Sequence, residues 1–188
     1  LGAAGGVGSA ASEVGRALGA TVLAAASTQD KLDFAIALGA SDGLVYDAQL
    51  QPGEGQKALA ARLKELAPRG INAVFDPVGG PYTEPALRSL APGGRHLVVG
   101  FTAGIPRVPL NLTLLKRSHI VGVDWRMFVQ EQPDTNARNV QALLRLWQDG
   151  RIQPQVTELF DFPQAPQAIA RLESRQAVGK VVVTLHHP

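Results

Sequence analysis

Three glycines fall within four positions near the start of the chain, Gly5, Gly6 and Gly8, with Val7 among them and a helical pattern directly behind. Glycines so spaced let a backbone turn tightly, approach a pyrophosphate without Cβ interference and pack the next helix closely on its sheet. The unpaired N–H groups of that helix's first turn then face the anion. The strict fingerprint has glycine where this chain has Ala3, so a plain strand-to-helix turn is the competing reading.

A dinucleotide site needs a second half, at the end of the next strand. Proteins that take NAD usually carry Asp or Glu there, to accept hydrogen bonds from the ribose hydroxyls. Here the position falls on Ala26, about 18 residues after Gly8 and near the expected spacing of ~20. No carboxylate would repel a 2′-phosphate. Ser27 can donate a hydroxyl, Lys31 a charge one helical turn on, and Tyr46, at the end of the following strand, a phenol or an adenine contact. Each has a plainer reading, as a helix cap, a solvated helix residue and a packing residue. Asp30 beside Lys31 would oppose a phosphate unless it points away. The missing acid at Ala26 makes NADPH the expected cofactor.

Other chemistry-bearing residues are few. Asp76 ends a strand and reads either as a catalytic acid or as a carboxylate accepting N–H groups from the 77–80 turn, the second being favoured. His96 and His119 sit within apolar strands and read as satisfied structural residues; His186 and His187 fall in a tail. No His, Asp or Glu cluster has zinc spacing, and cysteine is absent. No catalytic residue is assigned.

The chain that must position these groups has 188 residues, 45% of them hydrophobic, enough for one sizeable core. A net charge of +2 with scattered basic residues, and only 5% aromatics, argue against nucleic acid. No run approaches a membrane span of ~18 apolar residues, and no leader is evident, so a soluble cytoplasmic protein is expected.

Apolar residues recur at helical spacing over 6–18, in the segment after Ser27 or Thr28, over 56–67, 82–90 and 112–117, and over 135–148 with Asp134 or Thr135 as cap. Between them, 21–26, 43–46, 71–76, 95–100 and 119–123 read as strands, several buried on both faces. Strand and helix alternate about five times, which predicts an α/β fold with a doubly wound parallel sheet. Strands at 156–160 and 180–185, flanking a helix at 165–173, do not continue the alternation. Residues 1–150 therefore form the expected dinucleotide-binding domain and 151–188 a separate segment.

Taken in order, Ala3-Ala4-Gly5-Gly6-Val7-Gly8, Ser27 with Lys31, Leu44-Val45-Tyr46, Phe75-Asp76-Pro77-Val78-Gly79-Gly80, Gly93-Gly94-Arg95 leading to Gly100-Phe101, and Gly179-Lys180-Val181-Val182 resemble the medium-chain dehydrogenase/reductase superfamily. The similarity is greatest to its zinc-free NADPH quinone oxidoreductase branch, the relatives of zeta-crystallin. The resemblance implies a Rossmann-type fold, hydride transfer from NADPH to a quinone or enone-type acceptor, and a 2′-phosphate role for Lys31 and Tyr46. It places Val78 and Gly79 near the nicotinamide ribose and Gly100-Phe101 near its ring.

It further implies an upstream chaperonin-10-like domain and a complete central strand ahead of Leu1, so that 151–188 would pack on the catalytic domain. It also implies a homodimer through the edge strand at 119–123. Trp125, Arg126 and Phe128 would line the substrate cleft or the dimer contact, or form a packed loop. A zinc alcohol dehydrogenase, an enoyl-thioester reductase and a non-catalytic NADPH-binding or structural protein stay open as alternatives. The missing acid at Ala26 disfavours a methyltransferase.

Overall fold

The computed structural model describes residues 1–185; His186 and His187 lie outside the described residues. Helix α1 (Gly6–Ala17) leads to strand β1 (Leu23–Ala26), α2 (Gln29–Ala37), β2 (Asp42–Val45), α3 (Glu54–Leu66) and β3 (Ile71–Asp76). Then follow α4 (Thr83–Ser89), β4 (Leu90–Val98), α5 (Asn111–Lys116) and β5 (His119–Gly122). The alternation closes there, and α6 (Trp125–Glu131), α7 (Pro133–Gln148), β6 (Val156–Asp161), α8 (Ala165–Glu173) and β7 (Lys180–Thr184) complete the order.

Every strand pair is parallel: β1 with β2, β3 with β4, β4 with β5, and β6 with β7. Residues 1–4 lie between β1 and β3. The Ala3 N–H donates to the Ala25 carbonyl of β1 at 3.1 Å, and the Leu1 amino nitrogen to the Phe75 carbonyl of β3 at 2.9 Å. The spatial order is thus β2, β1, residues 1–4, β3, β4, β5, the doubly wound arrangement that the alternation predicts.

Alternate residues of β1 feed two faces, as a pleated strand requires. Ala24 and Ala26 pack with Leu32 and Ala35 of α2, whereas Ala25 joins Leu59 and Leu63 of α3, Tyr46, Val78 and Tyr82. Where β1 and β3 run on beyond residues 1–4, a cavity of about 640 Å³ separates them. It is lined by Leu23 and Ala24 of β1, Val74 of β3, Ala11 of α1, Leu63 of α3 and Ala86 of α4.

Several boundaries differ from the sequence reading. Trp125, Arg126 and Phe128 belong to a helix, α6, capped by the Asp124 side chain, which accepts the Met127 N–H at 3.0 Å. Strand β4 begins at Leu90 instead of residue 95; its register against β3 shifts between Ile71 and Ala73, so that 91–94 form a bulge within the strand. Helix α7 begins at Pro133, with Gln132 and neither Asp134 nor Thr135 at the cap. Val140, Leu143, Leu144 and Trp147 line one side of it, yet no residue of α7 is buried and Trp147 is 58% exposed. No helix is long and apolar enough to cross a membrane among the described residues.

Candidate functional site

At the carboxyl ends of the sheet strands the glycine turn stands open. Gly5 is the N-cap of α1, and the Ser9 N–H bonds to the Gly5 carbonyl at 2.8 Å. The N–H groups of Gly6, Val7 and Gly8 fall in the first helical turn, where no intrahelical acceptor exists, so they can serve an anion. Gly8 is needed for close approach: a Cβ there would run into the Gly2 carbonyl and lie 2.9 Å from Ala3 Cα. At exposed Gly5 the nearest atom to a Cβ is the Gly2 carbonyl at 3.8 Å. Gly6 faces the start of β7, and Gly5 forms a parallel bridge with Gly179.

To one side lies the end of β1. Ala26 is buried, and Thr28, one of the two expected caps, accepts the Lys31 N–H at 3.3 Å. That leaves Ser27 Oγ free to face Lys31 Nζ at 3.5 Å. Lys31 Nζ also donates to the Arg175 carbonyl at 2.6 Å. Burial, with the Arg175 charge beside it, lowers the Lys31 ammonium below its ordinary value. The lysine is therefore held between Ser27, the residue after Ala26, and the Arg175 backbone.

Arg175 is the residue that the sequence reading missed. It lies 144 residues from Lys31 and has φ +57°, a left-handed conformation uncommon outside glycine. Its Nη2 reaches the Thr102 carbonyl at 3.4 Å, so the side chain runs from the Lys31 side toward Phe101. Nothing in a connection between helix and strand marks such a residue. Only the folded chain brings α8 and β7 back to the glycine turn.

Tyr46 is drawn inward. Its ring packs against Tyr82 at 4.8 Å between centroids, and its hydroxyl takes a backbone hydrogen bond from Gly2. Burial above all, with Tyr82 nearby, pushes its phenol up to about 12. The phenol thus supports the glycine turn from beneath.

On the other side, Asp76 organises the 77–80 turn as the structural reading expects. Its Oδ1 accepts the N–H groups of Val78 at 2.9 Å and Gly79 at 2.8 Å; its Oδ2 accepts the Thr83 hydroxyl at 2.9 Å. Burial alone would raise this carboxyl, but hydrogen bonds from His96, Gly79, Thr83 and Val78 outweigh it and hold the pKa at about 2. Val78 is buried below Gly2, its Cγ2 lying 3.0 Å from where a Gly2 Cβ would stand. Gly79, at φ +68°, abuts Phe101: a Cβ there would be 3.2 Å from the Phe101 ring. The Gly100 N–H bonds to the Asp76 carbonyl at 3.3 Å, and the half-exposed Phe101 ring flanks the groove.

The structure therefore brings Gly5, Gly6, Val7 and Gly8 together with Ser27 and Lys31 on one flank and Val78, Gly100 and Phe101 on the other. Among the described residues no group of three or more His, Asp or Glu side chains could hold a metal ion, and the chain has no cysteine.

A dinucleotide fold with this groove defines the class, and comparison with known proteins places the chain within it. The family model for zinc-binding dehydrogenases matches residues 6–142, and the chain belongs to that family, within the medium-chain dehydrogenase/reductase superfamily. Quinone oxidoreductase-like protein 2 of Bos taurus is 36% identical over 169 residues, covering 89% of this chain and 46% of the relative. The chain thus spans about half the length of the curated relatives it matches. A mycobacterial structure complexed with NADPH superposes with a TM-score of 0.83 at 26% identity, covering 96% of this chain and 53% of that one. The quinone oxidoreductase of Pseudomonas syringae gives 0.79 at 25%, covering 96% and 54%.

Proposed function

We propose that the chain is the NADPH-binding portion of an oxidoreductase that passes hydride to a quinone or enone-type acceptor. The observation that carries this reading is the pairing of an open glycine turn with Ser27, Lys31 and Arg175 beside a carboxylate-free Ala26. NADPH, when bound, supplies the hydride. The chain's own residues bind and orient: first-turn N–H groups of α1 take the pyrophosphate, Ser27 and Lys31 the 2′-phosphate, and the Val78-Gly79 turn with Phe101 the nicotinamide end. Arg175 adds a second cation across the groove. Relatives named for quinone reduction support a quinone acceptor, and the CurK enoyl reductase, at TM-score 0.78 and 25% identity over 98% of this chain and 53% of that one, favours an enone.

The 640 Å³ cavity supports the reading of residues 1–4 as the end of a central strand whose earlier part would lie between β1 and β3. Exposed apolar groups on β6 and α8, such as Leu159 and Ile169, support packing of 151–188 on another domain of a longer protein. Among the described residues strand β5 pairs with β4 alone, and all four of its residues are exposed, which favours a homodimer through its other edge. Light scattering at micromolar concentration should give twice the monomer mass; a monomer would end the dimer reading. For the main proposal, fluorescence titration should give tighter binding of NADPH than of NADH, and NADPH oxidation with quinones or enones by the full-length enzyme. Equal affinities would overturn the NADPH assignment, and absence of turnover with both acceptor classes the activity.

A further inference from the structure

Strand β4 carries an imidazole that no solvent reaches. His96 is 0% exposed in a stretch otherwise suited to apolar side chains, and burying a polar ring is costly unless it is bonded. Its Nε2 lies 2.9 Å from Asp76 Oδ2, itself on a residue only 2% exposed. Nδ1 has no partner among the described residues. An ionised carboxylate can only accept, so Nε2 must carry the proton and donate it. One ring nitrogen is left unsatisfied, a cost that a simple packing residue such as Leu would avoid.

The bond acts on one place. Oδ2 receives His96 and Thr83 while Oδ1 holds the Val78 and Gly79 N–H groups, so His96 sets the rotation of the carboxylate that shapes the turn. The turn in turn fixes the loop after β4. The Gly80 N–H bonds to the Gly104 carbonyl at 2.7 Å and the Ala103 N–H to the Val78 carbonyl at 2.8 Å, and Phe101 sits against Gly79. Ser27 and Lys31 bond none of these groups directly; Lys31 meets the 101–104 loop only by way of Arg175, whose carbonyl it bonds and whose Nη2 reaches the Thr102 carbonyl.

We propose that His96 is a positioning residue for the nicotinamide half of the cofactor, acting through Asp76 on the Val78-Gly79 turn and on Phe101, with no part in holding the adenosine phosphate. This rests on the NADPH reading above. His96→Leu removes the donor at similar volume, while His96→Gln returns an amide N–H that can reach Asp76. Calorimetric titration with 2′,5′-ADP reports the adenosine half, and the change in NADPH fluorescence on binding reports the environment of the nicotinamide ring.

The expected result is that His96→Leu keeps 2′,5′-ADP affinity within about twofold, loses roughly tenfold in NADPH affinity and loses the fluorescence change, as fits one charge-assisted hydrogen bond. His96→Gln recovers most of both. Thr83→Val, which removes the other donor to Oδ2, should shift the same ratio in the same direction and serves where His96→Leu does not fold. An unchanged ratio of NADPH to 2′,5′-ADP affinity in the folded variants, with only a lowered Tm, would overturn the proposal and leave His96 a stability residue. Wild-type protein binding neither ligand would overturn the cofactor reading itself.

Discussion

Replacing Lys31 by alanine removes the charge nearest Ala26 while leaving the Thr28 cap, whose hydroxyl accepts only the backbone N–H of residue 31. Two unit charges about 4 Å apart attract by ~1 kcal/mol in water and ~4 kcal/mol at the effective dielectric near a protein surface. Lys31 is half-buried and Arg175 stays close by, so the loss should be about 2 kcal/mol, roughly thirtyfold in Kd for NADPH. NADH lacks the phosphate and should change by less than about twofold. Titration of both cofactors into wild type and Lys31→Ala, at low and high salt, reads the difference; salt should shrink the wild-type preference through screening. The pH dependence has a sign too. Because burial and Arg175 lower the Lys31 pKa, the free protein loses this positive charge as pH rises through a value below 10.5, and the NADPH preference should begin to fade there. Equal losses for NADPH and NADH would refute the assignment of Lys31 to the 2′-phosphate.

The glycine turn allows a paired test: Gly8→Ala, whose Cβ collides with the Gly2 carbonyl, should destabilise by about 3 kcal/mol in denaturant unfolding, whereas Gly5→Ala, with open space around it, should keep the Tm and lose NADPH affinity. The Asp76 carboxyl, lowered from 3.8 to about 2, stabilises the fold above the unfolded value and loses that contribution as pH falls through 2. Acid unfolding of wild type against Asp76→Asn should therefore show about 2 kcal/mol of stability in the wild type that disappears between pH 4 and 2, windows set by those two values. Adding five apolar, β-branched residues ahead of Leu1 should raise Tm by several degrees and protect β1 and β3 amides from exchange, if the 640 Å³ cavity takes a strand; an unchanged Tm would count against it.

Much of the fold was legible because strand and helix periods alternate cleanly from Gly6 to Val123, and the turns that close them are glycine-rich. Ser27, Val78 and Phe101 were legible as candidates because each lies just past the carboxyl end of a strand, where a parallel sheet gathers its loops, and Lys31 because it stands one helical turn after Ser27. What the sequence hid is what depends on contacts far apart in the chain. Arg175 meets Lys31 across 144 residues, His96 meets Asp76 through neighbouring strands, and Tyr46 turns inward because Tyr82 offers a ring and Gly2 an N–H. Helix α6 escaped because seven residues show no period, although Asp124 stood ready as its cap. The α7 stripe has clear helical periodicity, yet periodicity cannot say whether a partner surface is present.

The most direct measurement is a crystal structure of the chain with NADPH bound. The pyrophosphate should lie on the N–H groups of Gly6, Val7 and Gly8, and the 2′-phosphate within hydrogen-bond reach of Ser27 Oγ and Lys31 Nζ. A 2′-phosphate turned to solvent, or a dinucleotide lying away from the glycine turn, would contradict it.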